Sequence, residues 1–157
     1  MLRRYINSKA EEAPASLRAR RIPEQMDSDQ SIELIRRFFN ACVRADPDEF
    51  AGYFTEDAVW WNAPWQPIQG RPAIREALRQ GAQRMKALPW EVRHIVAQGN
   101  VVMTERVDHF LFGEKRINIP CMGILELRDG KIAAWRDYWD LGQFERQLPK
   151  ASDVSSS

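Results

Sequence analysis

Apolar positions recur along the chain at two different periods, and the change between them divides it. Ile32, Ile35, Phe38, Phe39, Cys42 and Val43 follow the three-and-four spacing of a helix with one buried face. Asp46-Pro47-Asp48-Glu49 comes next, with a capping side chain, a first-turn proline and an acid at the third position, so a second helix starts there. A short strand, Ala58 to Asn62, precedes a proline-broken loop, and Arg71-Pro72 opens a third helix with Ile74, Ala77, Leu78, Ala82 and Met85 in one stripe. After Pro89 the period falls to two. Extended runs are predicted at Trp90 to Gln98, Val101 to Phe112, Lys115 to Arg128 and Lys131 to Trp139, joined at Gly99-Asn100, near Gly113 and at Asp129-Gly130. Such long strands of an antiparallel meander curl strongly, and Pro120 inside one of them demands a bulge or an edge. Helices first and a long curved sheet afterwards predict an α+β cone, with the helices closing one side of the sheet over a cavity.

Outside this pattern the chain is different in kind. Residues 1–30 show no apolar period and residues 151–157 are mostly serine, so the expected organisation is a flexible arm, one folded domain over 31–150 and a disordered tail. The 23 basic and 22 acidic residues nearly balance, leaving no field for nucleic acid or an anionic membrane. No apolar run approaches the roughly 20 residues of a membrane span. Cys42 and Cys121 each sit in an apolar stretch and read as small core residues, not as a bridge. The early arginines precede no apolar segment of the kind a signal peptide carries, so a cytoplasmic location is expected.

The second long run is apolar on both faces: Val102, Phe110 and Phe112 point one way, Val101, Met103, Val107 and Leu111 the other. Helices can cover only one of these faces, and a homodimer packed sheet to sheet is the simplest cover for the second. Arg106 and Asp108 share the face of Val102 and Phe110, and a charged pair turned to an apolar interior is costly unless it is paired and used. The last run places Asp137 between Trp135 and Trp139 on one face, and the early strand adds Trp60 and Asn62. Arg106, Asp108, Asp137 and Asn62 therefore converge as a candidate site. Phe39, Met85, Phe110, Ile119, Cys121 and Trp139 suit a wall for an apolar, partly flat molecule, with Trp60 beside them. Trp61, Trp90 and Trp135 read as core or interface, and Trp65 as the rim of an entrance or a loop anchor. His109 faces away from Arg106, no cluster has metal-ligand spacing, and neither a dinucleotide fingerprint nor a nucleophile elbow occurs. From the residues alone, the buried charges are either a structural ion pair or a reactive group.

Tyr53-Phe54-Thr55-Glu56-Asp57 with Asn62, Thr104-Glu105-Arg106-Val107-Asp108, Gly130-Lys131-Ile132 and Trp135-Arg136-Asp137-Tyr138-Trp139-Asp140-Leu141 resemble the limonene-1,2-epoxide hydrolase family in order and spacing. The resemblance implies the NTF2-like cone, a homodimer, no cofactor and no metal, with a small apolar epoxide and water as substrates. It implies that Asp137 activates a water, Asp108 protonates the epoxide oxygen, Arg106 holds both and Asn62 helps hold the water. The family's water-holding tyrosine falls on Trp60, whose indole can donate a hydrogen bond but cannot accept one.

Water can open an epoxide without a covalent intermediate when one group takes its proton and another protonates the leaving oxygen. With both carboxyls ionised the Asp108, Arg106 and Asp137 group carries one net negative charge, and one shared proton makes it neutral and cheaper to bury. Lifting one Asp to neutrality near pH 7 takes about three pKa units, roughly 4 kcal/mol. By analogy with inverting glycosidases the two carboxyl groups should lie roughly 5 to 9 Å apart. The alternatives are another NTF2-like enzyme, an isomerase of the ketosteroid-isomerase kind or a polyketide-cyclase-like enzyme, and a non-catalytic binder of hydrophobic ligands.

Overall fold

The structure, a computed structural model, describes residues 26–149; most of the expected arm and the whole expected tail lie outside the described residues. Helix α1 (Ser28–Arg44) starts earlier than the apolar period indicates, because its first turn is polar. Asp27 accepts from the backbone of Gln30 and the Gln30 side chain accepts from the backbone of Asp27, so a capping box begins the helix four residues before Ile32 joins the apolar stripe. The backbone N–H of Met26 donates to Asn100 Oδ1 at 2.8 Å, tying this entry to the sheet.

Helix α2 (Pro47–Gly52) is capped by Asp46, which accepts from the backbone of Asp48 and Glu49. Strand β1 (Phe54–Ala63), the short β2 (Ile68–Gln69), helix α3 (Arg71–Ala82) and the short β3 (Lys86–Ala87) follow. The long strands β4 (Glu91–Gln98), β5 (Val101–Phe112), β6 (Lys115–Arg128) and β7 (Lys131–Trp139) match the predicted runs to within a residue. Helix α4 (Leu141–Gln147), started by the Asp140 side chain on the backbone of Gln143, is an addition; at seven residues it is too short to show a period.

The sheet runs β2-β1-β7-β6-β5-β3, with β4 also paired to β5. β1 lies parallel to β7 and every other pairing is antiparallel. The pairing register shifts at Phe54/Val59, Val92/His94 and Glu126/Leu127, not at Pro120. Pro120 pairs with Val107 but lies one residue beyond the last β6–β7 pair, Cys121↔Trp139, so it occupies a local edge. Among the described residues no helix is long and apolar enough to cross a membrane.

Residues paired across neighbouring strands share a face, and this register assembles one concave surface. Thr104 pairs with Gly123 and Gly123 with Asp137; Arg106 pairs with Cys121 and Cys121 with Trp139; Asn62 pairs with Asp137 on the other side. Beneath the helices, Phe38, Phe50, Phe54 and Trp135 form the aromatic centre of the core, with Phe38 edge-on to Trp135 at 5.0 Å. The opposite face of the sheet leaves Val96, Val101, Met103, Met122 and Tyr138 exposed.

Candidate active site

Arg106 is the largest fully buried side chain, and its environment explains how it is tolerated there. Nε donates to Asp108 Oδ1 at 2.7 Å, and Nη2 to Asp108 Oδ2 at 3.2 Å and Asp137 Oδ2 at 2.6 Å. Nη1 donates to Thr104 Oγ1 at 3.0 Å. The rings of Phe39, Trp90 and Trp135 surround the guanidinium at 5.1, 5.3 and 5.7 Å. Charge-assisted bonds on one plane and aromatic faces around it replace the water lost on burial.

The two carboxylates are not equivalent. Asp137, 3% exposed, accepts from the Trp135 indole at 2.7 Å through Oδ1 while Oδ2 is held by Arg106. Among the described residues the side-chain donors to Asp108 come from Arg106 alone, one to each oxygen. Burial pushes Asp108 up to about 6, opposed by Arg106 and reinforced by the negative charge of Asp137. Burial also raises Asp137, against the charge of Arg106 and the bonds from Arg106 and Trp135 that favour its anion. Both carboxyls are thus pushed toward their neutral forms, with Arg106 opposing the rise in each. Although burial works against the charge of Arg106, Asp137 and Asp108 outweigh it and keep the guanidinium ionised.

Asp108, Cys121 and Asp137 each bring a ligand-type atom to within 4.8 Å of the others. One oxygen of each carboxylate thus lies within 4.8 Å of the other, because a single guanidinium nitrogen bonds to both. The same contact speaks against a cation at this point: the positive charge is already supplied by Arg106, and a metal ion would sit beside it.

Both carboxylates open on a cavity of about 310 Å³. Trp60, Asn62, Met85 and Phe110 line it, as do Ile119, Cys121 and Trp139. Phe39 does not. It lies on α1 behind the guanidinium, packed on Trp90 at 5.4 Å, a placement that helical periodicity cannot separate from the neighbouring stripe positions. Conversely, Trp90 and Trp135, read from the sequence as core or interface, both line the cavity, and Trp135 binds Asp137 directly. The signal for Trp135 was its place two residues before Asp137 on one strand face. Trp60 stacks flat on Trp135, at 5.2 Å and 9°, and among the described residues its indole N–H has no partner. Trp65 is half-exposed and packs edge-on to Trp139 at 4.9 Å, with Phe144 of α4 beside both, which makes this aromatic group one wall of the opening. His94 and His109 pair with Glu105 and Asn118, at 2.6 and 2.7 Å, away from the cavity.

The SnoaL-like domain family matches residues 35–135, a stretch that holds Arg106 and Asp108 and ends two residues before Asp137. Epoxide hydrolase EphG of Mycobacterium tuberculosis is 30% identical over 119 residues, covering 76% of this chain and 79% of its own. The chain belongs to the limonene-1,2-epoxide hydrolase family. Its fold accordingly superposes on that of a limonene-epoxide-hydrolase-like enzyme from M. tuberculosis with a TM-score of 0.70, at 29% identity over 77% of this chain and 90% of that one. A protein of ketosteroid-isomerase-like fold from Catenulispora acidiphila, 19% identical over 74% of this chain and 94% of its own, gives 0.68, a likeness of fold alone. The family's architecture is thus the NTF2-like cone, with the helices over the concave face.

Proposed function

We propose that the protein hydrolyses a small, largely apolar epoxide to a vicinal diol by direct attack of water. The observation that carries this reading is the pair of buried carboxylates joined through one guanidinium, unequal in their donors, at the wall of an apolar cavity. Asp137, bonded to both Arg106 and the Trp135 indole, stays anionic and takes a proton from the water; Asp108, bonded to Arg106 and standing at the cavity wall, carries the shared proton and delivers it to the opening oxirane oxygen. Arg106 fixes both in place and keeps the centre neutral when one proton is bound. Asn62, paired with Asp137 across β1 and β7, accepts from the water, while the Trp60 indole N–H is enclosed away from the cavity and its ring serves as wall. The route needs no cofactor. A ketosteroid-isomerase-like enzyme can likewise set an ionised carboxylate beside a neutral one, so what favours hydrolysis is the family relationship to an epoxide hydrolase.

An epoxide panel assayed in oxygen-18 water tests the proposal. A single turnover is expected to put label directly into the diol; label entering the protein first means an ester intermediate and refutes direct attack. Proton exchange into a carbonyl compound would instead indicate the isomerase, and binding of every epoxide without turnover the binder.

The exposed Val96, Met103, Met122 and Tyr138 on the outer face of the sheet support a homodimer closed by that face. Light scattering is expected to give twice the chain mass, and Met103→Glu with Met122→Glu to halve it. A native monomer would sink this arrangement.

A further inference from the structure

Along the inner face of β5 the Arg106 side chain has a polar neighbour on either side, Thr104 two residues before it and Asp108 two residues after. Thr104 is 1% exposed and does not line the cavity, so its hydroxyl has no access to a bound molecule. Its Oγ1 accepts from Arg106 Nη1 at 3.0 Å, and among the described residues Nη1 has no other side-chain acceptor. The two acids hold the rest of the guanidinium unequally. Asp108 grips the Nε–Nη2 edge as a fork, at 2.7 and 3.2 Å, whereas Asp137 holds Nη2 by a single bond at 2.6 Å. A planar group gripped along one edge can still hinge about that edge, and the corner opposite the fork is Nη1. Hinging turns the second Nη2 hydrogen out of line with Asp137, and a hydrogen bond weakens steeply as it bends. In the register Gly123 lies between Thr104 and Asp137, and a Cβ there would lie 3.0 Å from Thr104 Oγ1 and 2.5 Å from Asp137 Oδ1. The hydroxyl and the carboxylate therefore flank one small gap, and Nη1 of the guanidinium occupies it.

We propose that Thr104 is a positioning residue: its hydroxyl oxygen fixes the free corner of the Arg106 guanidinium and so keeps the second Nη2 hydrogen on Asp137, the base of the proposed hydrolysis. The inference rests on that reading of Asp137 for its bearing on turnover, but the positioning itself is a property of the unliganded protein. Valine has the shape of threonine and no acceptor, so Thr104→Val leaves an N–H of a buried cation unpaired, and the group settles on the Asp108 fork, the stronger of its two attachments. The titratable groups around Asp137 are Arg106 and Asp108 on β5, Cys121 on β6 and Cys42 on α1. Burial pushes both thiols up and keeps them neutral. Of these groups Arg106 alone favours the Asp137 anion by its charge, so a loosened guanidinium leaves Asp137 a weaker acid.

Carbon-13 titration of the aspartate carboxyl signals, followed across the pH range in which the protein stays folded, tests this without any substrate. In Thr104→Val the Asp137 signal is expected to titrate about one pH unit higher than in the native protein, a tenfold change in its acidity, while Asp108 keeps its fork and moves less. Thr104→Ser loses a methyl group and keeps the oxygen, so it should titrate as the native protein does. Where epoxide is turned over, Thr104→Val should lower kcat about tenfold and move the acid limb of kcat/KM upward, with KM little changed because Thr104 does not line the cavity. An unmoved Asp137 titration in folded Thr104→Val overturns the proposal, even if the variant is less stable, because stability alone reports packing. So does a shift in Thr104→Ser as large as that in Thr104→Val, which would assign the effect to the methyl group. If Thr104→Val does not fold, nitrogen-15 spectra of the native Arg106 guanidinium decide: the Nη1 hydrogen on Thr104 should be distinct from its twin and slow to exchange, and a single averaged Nη1 signal overturns the proposal. A protein that shows the expected titrations yet opens no epoxide keeps the positioning role and refutes hydrolysis.

Discussion

Asp137→Asn and Asp108→Asn are each expected to lower epoxide turnover by at least about a hundredfold, the lower bound for losing a positioned base or acid. Both substitutions are nearly isosteric and leave the aromatic walls in place, so KM should change far less than kcat. Arg106→Ala should cost as much activity and destabilise the fold by about 3 to 5 kcal/mol, because two buried carboxyls lose the cation that pairs them. Protonation separates the two acids further. With Asp108 pushed up to about 6, the competent acid disappears as pH rises through that value, and kcat/KM of the free enzyme should fall on the alkaline side. The folded state binds the Asp108 proton more tightly than the unfolded chain, so this contribution to stability is complete below about pH 4 and is lost as pH rises to about 6. On the order of 3 kcal/mol is involved, and denaturant melts of the native protein and Asp108→Asn at pH 4 and pH 7 should differ in slope with pH accordingly. Identical pH dependence in the two proteins would mean that Asp108 is ionised throughout. Activity lost only through unfolding would return the trio to a structural ion-pair role.

The long strands were legible because alternation over nine or more residues leaves little room for another period, and the same alternation put Arg106, Asp108 and Asp137 on the inner face. What alternation cannot convey is depth. Phe39 and Trp90 are both apolar neighbours of the guanidinium, yet one lies behind it and the other lines the cavity, a difference set by how α1 crosses the sheet. Trp135 was legible as a buried ring but not as a donor, since nothing in a sequence tells which edge of an indole meets a carboxylate. The polar first turn of α1 and the seven residues of α4 carry too little apolar pattern to announce a helix, and in both cases the cap, Asp27 or Asp140, was the sole local signal.

Gly123→Ala is the second change expected to abolish most turnover, and it alters a residue with no side chain to contribute. Gly123 lies in β6, paired with Thr104 on one side and Asp137 on the other, so the Arg106 guanidinium must pass over it to reach from β5 to β7. A Cβ built there would lie 2.5 Å from Asp137 Oδ1, closer still to Arg106 Nη1, and 3.0 Å from Thr104 Oγ1. None of these atoms can simply swing aside: the guanidinium is bonded on three edges and ringed by aromatic residues, and Asp137 is held by Trp135 as well. The methyl group must therefore part Arg106 from Asp137. A displacement near 1 Å at reacting groups can cost about a hundredfold in rate, and that is the loss expected in kcat, with KM little changed because the apolar wall is untouched. Deprived of its guanidinium, Asp137 should also titrate higher, moving the acid limb of the pH profile upward, which a mere loss of stability would not do. A folded variant turning over within about threefold of the native rate would show that the carboxylates work without the bridge, since a shift of that size is under 1 kcal/mol.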